Sequence, residues 1–308
     1  MIPVLPEPAV GAGPTYAGWM SDYPDYLPLG PGPRPTDGPG LVERVRVVAR
    51  EQDLGGAMSS ATDDILRRTT VVLDGDDVTS AVVDATGVSI PESAFTSEPT
   101  VPAKLPAVVA ATPGVLRRGS FRAHPLLVAE VPVVIDAEVS DLPIQWIDAS
   151  DGTVGVEPLP PTAEQPISGF LRVSAPKQEV IDTVRRIATA VLAEQGITLT
   201  RLDVELTSVG PREVRLQADA KLRRGILSAS AQASGSASVD QALVLRFADV
   251  RLGSANPIVA GLLAVARGRV KEATQRPIDL AEQLPPGVRV TDVQLDAGAE
   301  LTLSARLA

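Results

Sequence analysis

Cysteine is absent from the 308-residue sequence, histidine occurs once, as His124, and aromatic residues make up only 3%. Each shortage removes chemistry. Without cysteine there is no disulfide framework, thiolate nucleophile, iron–sulfur cluster or cysteine-ligated zinc. A single His excludes paired-His metalloprotease motifs and any multi-His metal centre. It also leaves few groups for general base catalysis near neutral pH. The chain has no P-loop, no Gly-x-Ser-x-Gly nucleophile elbow and no dinucleotide fingerprint. These gaps predict a protein without cofactor, metal or catalytic residues.

Basic residues are in the minority, with 28 Lys and Arg against 38 Asp and Glu and a net charge of −10. That balance disfavours nucleic acid, which calls for a basic face against the phosphates. Lysine is confined to Lys104, Lys177, Lys221 and Lys271. Long apolar runs are also missing. The most apolar stretch, 258–266, is far below the roughly 20 residues of a membrane span. The opening MIPVLPEPAV has neither a basic n-region nor an apolar stretch of signal-peptide length, which predicts a cytoplasmic protein. A trimmed N-terminus would reopen the cell envelope.

What is present is aliphatic: 44% of the chain is hydrophobic, ample for a core. Residues 1–40 form a Pro/Gly-rich arm that nevertheless holds Tyr16, Trp19, Tyr23 and Tyr26. Their spacing of three, four and three fits one face of a short helix up to Pro24. Such aromatics either dock a protein partner or fold back onto their own domain. Residues 41–157 read as an α+β half. A helix from Leu41 to Arg68 is weakened at Gly55-Gly56. Asp74-Gly75-Asp76-Asp77 reads as a hairpin turn, since a calcium loop needs more ligands. Glu130–Asp141 alternates as a strand, with Pro132 predicting an edge or a bulge. His124, in a loop without a nucleophile signature nearby, reads as incidental. Pro158, Pro160, Pro161 and Pro166 mark 158–167 as a linker.

Residues 168–308 form a cleaner half. A strand at Phe170–Val173 leads through Ser174, a candidate N-cap, into a helix with Val180, Ile181, Val184, Ile187, Ala188, Val191 and Leu192 on one stripe. Gly196 ends it. Four alternating strands follow, then a helix over about 256–274 and a final hairpin through Asp296-Ala297-Gly298. Each strand has one apolar and one polar side, as in an antiparallel sheet with one wet face. The strand Leu227–Val239 turns mostly Ala and Gly inward, which leaves room for a closely packed helix or a ligand. Leu116-Arg117-Arg118-Gly119 recurs as Leu222-Arg223-Arg224-Gly225, an echo too short to establish a duplication.

Residues 247–308 carry a strand, an amphipathic helix, Pro277-Ile278-Asp279-Leu280, Leu284-Pro285-Pro286-Gly287-Val288-Arg289-Val290 and a strand pair. This stretch resembles the closing part of tubular lipid-binding (TULIP-type) domains, nearest the actinobacterial LmeA-like phospholipid-binding family. Residues 168–246 fit the same scheme. The resemblance implies a long curved antiparallel sheet wrapped around amphipathic helices, with an apolar groove for acyl chains. The partner would be a phospholipid or another apolar small molecule. Leu216, Leu243, Leu245, Ile258, Leu262 and Leu263 are the groove candidates. Arg215, Lys221, Arg223 and Arg224, the densest basic stretch, are the headgroup candidates. Each apolar candidate also fits a plain core, and each basic one a solvated strand face.

Overall fold

The computed structural model describes residues 26–51, 56–91, 105–194, 196–224, 227–240, 243–254, 278–279 and 288–307. The chain enters through β1 (Leu27–Pro31) and α1 (Gly38–Glu51). Asp37 caps α1, its Oδ1 accepting from the Gly40 amide at 2.7 Å. Gly38 starts the helix so close to the next strand that a Cβ would lie 1.7 Å from the Val71 carbonyl oxygen. A second helix, α2, covers Gly56–Arg67. β2 (Thr70–Asp74) and β3 (Asp77–Asp84) then form a hairpin, with Gly75 at φ +61° in the first of the two turn positions between Asp74 and Asp77.

After β4 (Ser89–Ile90) comes the spine of the fold, β5 (Val108–Val128) against β6 (Val131–Ala149). β7 (Thr153–Pro158) and β8 (Ser168–Pro176) share the other edge of β6. β7 takes Ile144–Asp148 and β8 takes Val134–Ser140. β6 is a central strand, but Pro132 has no partner on its β8 side, so the expected edge position holds locally, and the β5–β6 register is irregular close by, between Ala123 and Leu126. Pro132 is tolerated because it sits at the strand start, before the β8 register begins at Val134.

α3 (Lys177–Glu194) follows β8 directly. Ser174 is not its N-cap. It is buried in β8, paired with Val134 on one side and Thr302 on the other, and this two-sided pairing extends the strand to Pro176. The meander is present as β9 (Thr198–Gly210), β10 (Glu213–Arg224), β11 (Leu227–Val239) and β12 (Val244–Gly253). β13 (Ile278–Asp279) adds a short edge, and β14 (Val290–Ala297) and β15 (Glu300–Leu307) form the closing hairpin. The helix predicted over 256–274 lies outside the described residues.

Two sheets result, in an α+β architecture. One has ten strands, with the path β14-β15-β8-β6-β5-β3-β2, and the other runs β13-β12-β11-β10-β9. Pairing is largely antiparallel, but β3 and β4 run parallel to β5, so the larger sheet is mixed, and it is not closed. That sheet also continues across residues 158–167. These residues carry the chain between two stretches of the β6 edge, so they do not separate the sheets. β8, β14 and β15 join the strands of the first half.

Cores form where helices cover sheet. Leu41 of α1 packs with Leu29, Val78, Ile144, Trp146 and Val154. Ala61 of α2 packs with Ala85, Val88, Ala123 and Leu126. A third cluster joins the two sheets through Val239, Leu243 and Val293, flanked by Leu245, Val290, Leu295 and Ala305.

Candidate functional site

Because side chains alternate across a strand, the register of the five-stranded sheet sorts its residues into two faces. The aliphatic face is built in rows. Leu206 opposes Leu216 and then Gly235, Val204 opposes Ala218 and Ala233, and Leu202 opposes Ala220 and Ala231. Val214, Ala237 and Phe247 form a further row. β11 contributes only small residues along this stretch, so it makes the floor of a furrow. Leu216 on one side and Phe247 and Val250 on the other stand above it. Gly235 sharpens the furrow, since a Cβ there would come within 3.3 Å of Val250 Cγ2.

Leu216 and Phe247 are each 38% exposed and Val250 is 37% exposed. Toward the end of β11 at Val239 the face becomes core, where Val239 and Leu243 are buried against Val293. The aliphatic face is thus continuous from a half-open middle to a closed end.

The sequence candidates distribute unevenly over this geometry. Leu216 lies on the open part of the furrow. Leu245 is partly buried at its closed end, and Leu243 belongs to the core there, with φ +63° ahead of β12. Ile258, Leu262 and Leu263 lie outside the described residues. Arg215, Lys221 and Arg223 do not line this furrow. They alternate with Leu216, Ala220 and Leu222 on β10 and project from the opposite face. They are therefore not at the mouth of the furrow that Leu216 borders. Arg224 ends the same strand, and its side chain is outside the description.

Of the aromatic cluster, Tyr16, Trp19 and Tyr23 lie outside the described residues. Tyr26 is buried at 3% exposure with Ile147 and Ala149, not displayed to a partner. Its hydroxyl donates to the Pro106 carbonyl at 3.2 Å. The ring fills the space above Gly155, where a Cβ would lie 2.3 Å from Cδ2. Burial pushes the phenol pKa above its ordinary value, helped by the charge of Asp151 and opposed by a hydrogen bond with Thr153.

His124 is exposed on the polar side of the β5–β6 hairpin, with Nε2 2.8 Å from Asp136 Oδ1. Its backbone amide donates to Thr86 Oγ1 at 3.0 Å. The Thr86 hydroxyl and amide in turn hold the Asp84 carboxyl below the usual range, against desolvation and with help from Arg68 and His124. This corner ties the residues after β3 to β5.

Sequence reasoning missed Phe247 and Val250 as furrow walls. Their signal is cross-strand: Phe247 is significant because its partner is Ala237. Among the described residues, no helix is long and apolar enough to cross a membrane. No family model, curated protein or solved structure matches the chain.

Proposed function

We propose that this protein binds a lipid or another apolar ligand, without catalysis, along the aliphatic face of the five-stranded sheet. The observation that carries this reading is the furrow itself. Ala and Gly line its floor, larger aliphatic and aromatic side chains stand at its sides, and its middle is partly open to water. Burying an acyl chain there gains roughly 0.8 kcal/mol for each methylene removed from water. Such binding needs apolar area and few polar groups. The resemblance of residues 247–308 to tubular lipid-binding domains points to the same ligand class.

Native mass spectrometry of protein purified from cells tests the reading. The expected spectrum carries added mass in the range of one phospholipid, and organic extraction releases that lipid. Leu216→Glu puts a charge on the furrow at a half-open position and is expected to remove the added mass while the β-sheet circular dichroism persists. Wild-type protein that is consistently ligand-free, and takes up no lipid from vesicles, would overturn the proposal.

A further inference from the structure

The opposite, polar face of the five-stranded sheet holds a cavity of about 350 Å³, bordered by Gln217, Asp219, Gln232, Ser234, Arg251 and Gly253. Three strands supply it in two adjacent rows. Gln217, Ser234 and Arg251 stand side by side in one, and Asp219, Gln232 and Gly253 in the next. The hollow has a simple origin. Ser234 is short and Gly253 has no side chain, whereas the longer Gln217 and Arg251 rise on either side.

The polar groups are ordered but not exhausted. Gln232 Nε2 donates to Asp219 Oδ1 at 2.8 Å, which orients both side chains and leaves the second carboxylate oxygen available. Among the described residues, Gln217 and Arg251 make no side-chain hydrogen bond or ion pair. Arg215 and Lys221 occupy the flanking rows of the same face. The cavity therefore combines a carboxylate, two amides and a hydroxyl with a guanidinium that has no partner among the described residues, on a face of mixed charge where Arg215 and Lys221 flank the hollow and Glu205 and Asp203 of β9 stand beside Gln217 and Asp219.

We propose that this cavity binds an acidic sugar. Amides and a carboxylate together match adjacent hydroxyls, which donate and accept at once. A guanidinium matches a carboxylate or phosphate through its two-pronged donor geometry. The volume lies within the range of about 300–1,000 Å³ typical of small-molecule sites. This site is separate from the apolar furrow, because the sheet stands between them, and a ligand on one face does not occupy the other.

The test is titration of the full chain with glucuronate, methyl glucuronide, glucose and acetate, followed by calorimetry and saturation-transfer NMR. Glucuronate or its methyl glycoside is expected to bind saturably, at least tenfold tighter than glucose or acetate. Preference for the glycoside identifies a residue within a glycan, and preference for glucuronate identifies a free sugar acid. Arg251→Ala is expected to bring sugar-acid binding down to the glucose level. A Cβ at Gly253 meets nothing within 4 Å, so Gly253→Leu can be accommodated and is expected to fill the hollow, abolishing binding at an unchanged melting temperature. Should that variant melt earlier, the Arg251→Ala comparison decides alone. Absence of saturable sugar-acid binding would overturn the proposal. So would equal affinity for glucose or acetate, or full affinity in stably folded Gly253→Leu.

Discussion

The Ala297 amide donates a 2.7 Å hydrogen bond to Ser208 Oγ, and that bond crosses from the ten-stranded sheet to the five-stranded one. Ser208 Oγ also lies 3.2 Å from Asp296 Oδ1, and the Leu295 amide donates to the Pro211 carbonyl at 2.8 Å. Lys177 adds a cation between the strands, 3.3 Å from the Ala297 carbonyl and 3.5 Å from that of Leu206. The edges β14 and β9 are thus held together by side chains and a single backbone bond just beyond β9, in place of a regular ladder. Ser208→Ala leaves the Ala297 amide without its partner, a loss worth about 1 kcal/mol. Urea unfolding followed by circular dichroism should show the lower midpoint. An unchanged midpoint would mean that the seam contributes nothing to stability.

Tyr26 offers a second test, with a pH sign. Its raised pKa means that the folded protein favours the neutral phenol. This contribution is complete below the unfolded value of about 10 and disappears as pH rises through the higher folded value. Wild-type stability should therefore fall on alkaline titration above about pH 10, and Tyr26→Phe should fall less steeply. At neutral pH, Tyr26→Phe should cost about 1 kcal/mol for the bond to Pro106, and Tyr26→Ala about 3–5 kcal/mol for the buried ring. Equal neutral-pH stability of wild type and Tyr26→Ala would remove the aromatic from the core.

Asp84 behaves in the opposite sense. Its pKa is lowered, chiefly by the Thr86 hydroxyl and then by the Thr86 amide at 2.8 Å. The stabilisation is present above the unfolded carboxylate value of about 4 and is lost as pH falls through the lower folded value. Solvent screening limits it to less than about 1 kcal/mol at this surface corner. Asp84→Asn should be less stable than wild type at pH 7, and the difference should close below about pH 4. A difference that persists unchanged at pH 2 would assign the effect to packing and not to charge.

The meander and the closing hairpin were legible because each strand alternates between apolar and polar residues, and that pattern is a property of neighbours in sequence. The same alternation already separates Leu216 from Arg215 and Lys221, so their placement on opposite faces was readable before any fold was known. What was not legible depends on partners far away in the chain. Pro132 reads as an edge residue, and only the register shows how a central strand holds it: β8 begins its pairing with β6 two residues later, at Val134. The prolines at 158–166 look like a linker, yet the strand that follows returns to the same β6 edge. His124 and Asp136 belong to a single hairpin, but only its register, with Arg122 opposite Asp136, brings them together.

Leu216 and Leu243 both entered the sequence reading as groove residues, and the structure gives them different physical roles that unfolding can separate. Leu243 is 7% exposed and packs with Val239 and Val293, so Leu243→Ala removes buried methyl groups and leaves a cavity. A loss of about 2–4 kcal/mol is expected. Leu216 is 38% exposed on the open stretch of the furrow, so truncation returns less area to the core and should cost at most about 1 kcal/mol. Urea midpoints of the two variants, purified free of lipid, make the comparison. A loss at Leu216 equal to that at Leu243 would mean that the furrow is filled by the protein's own side chains, and the apolar-ligand reading would fall with it.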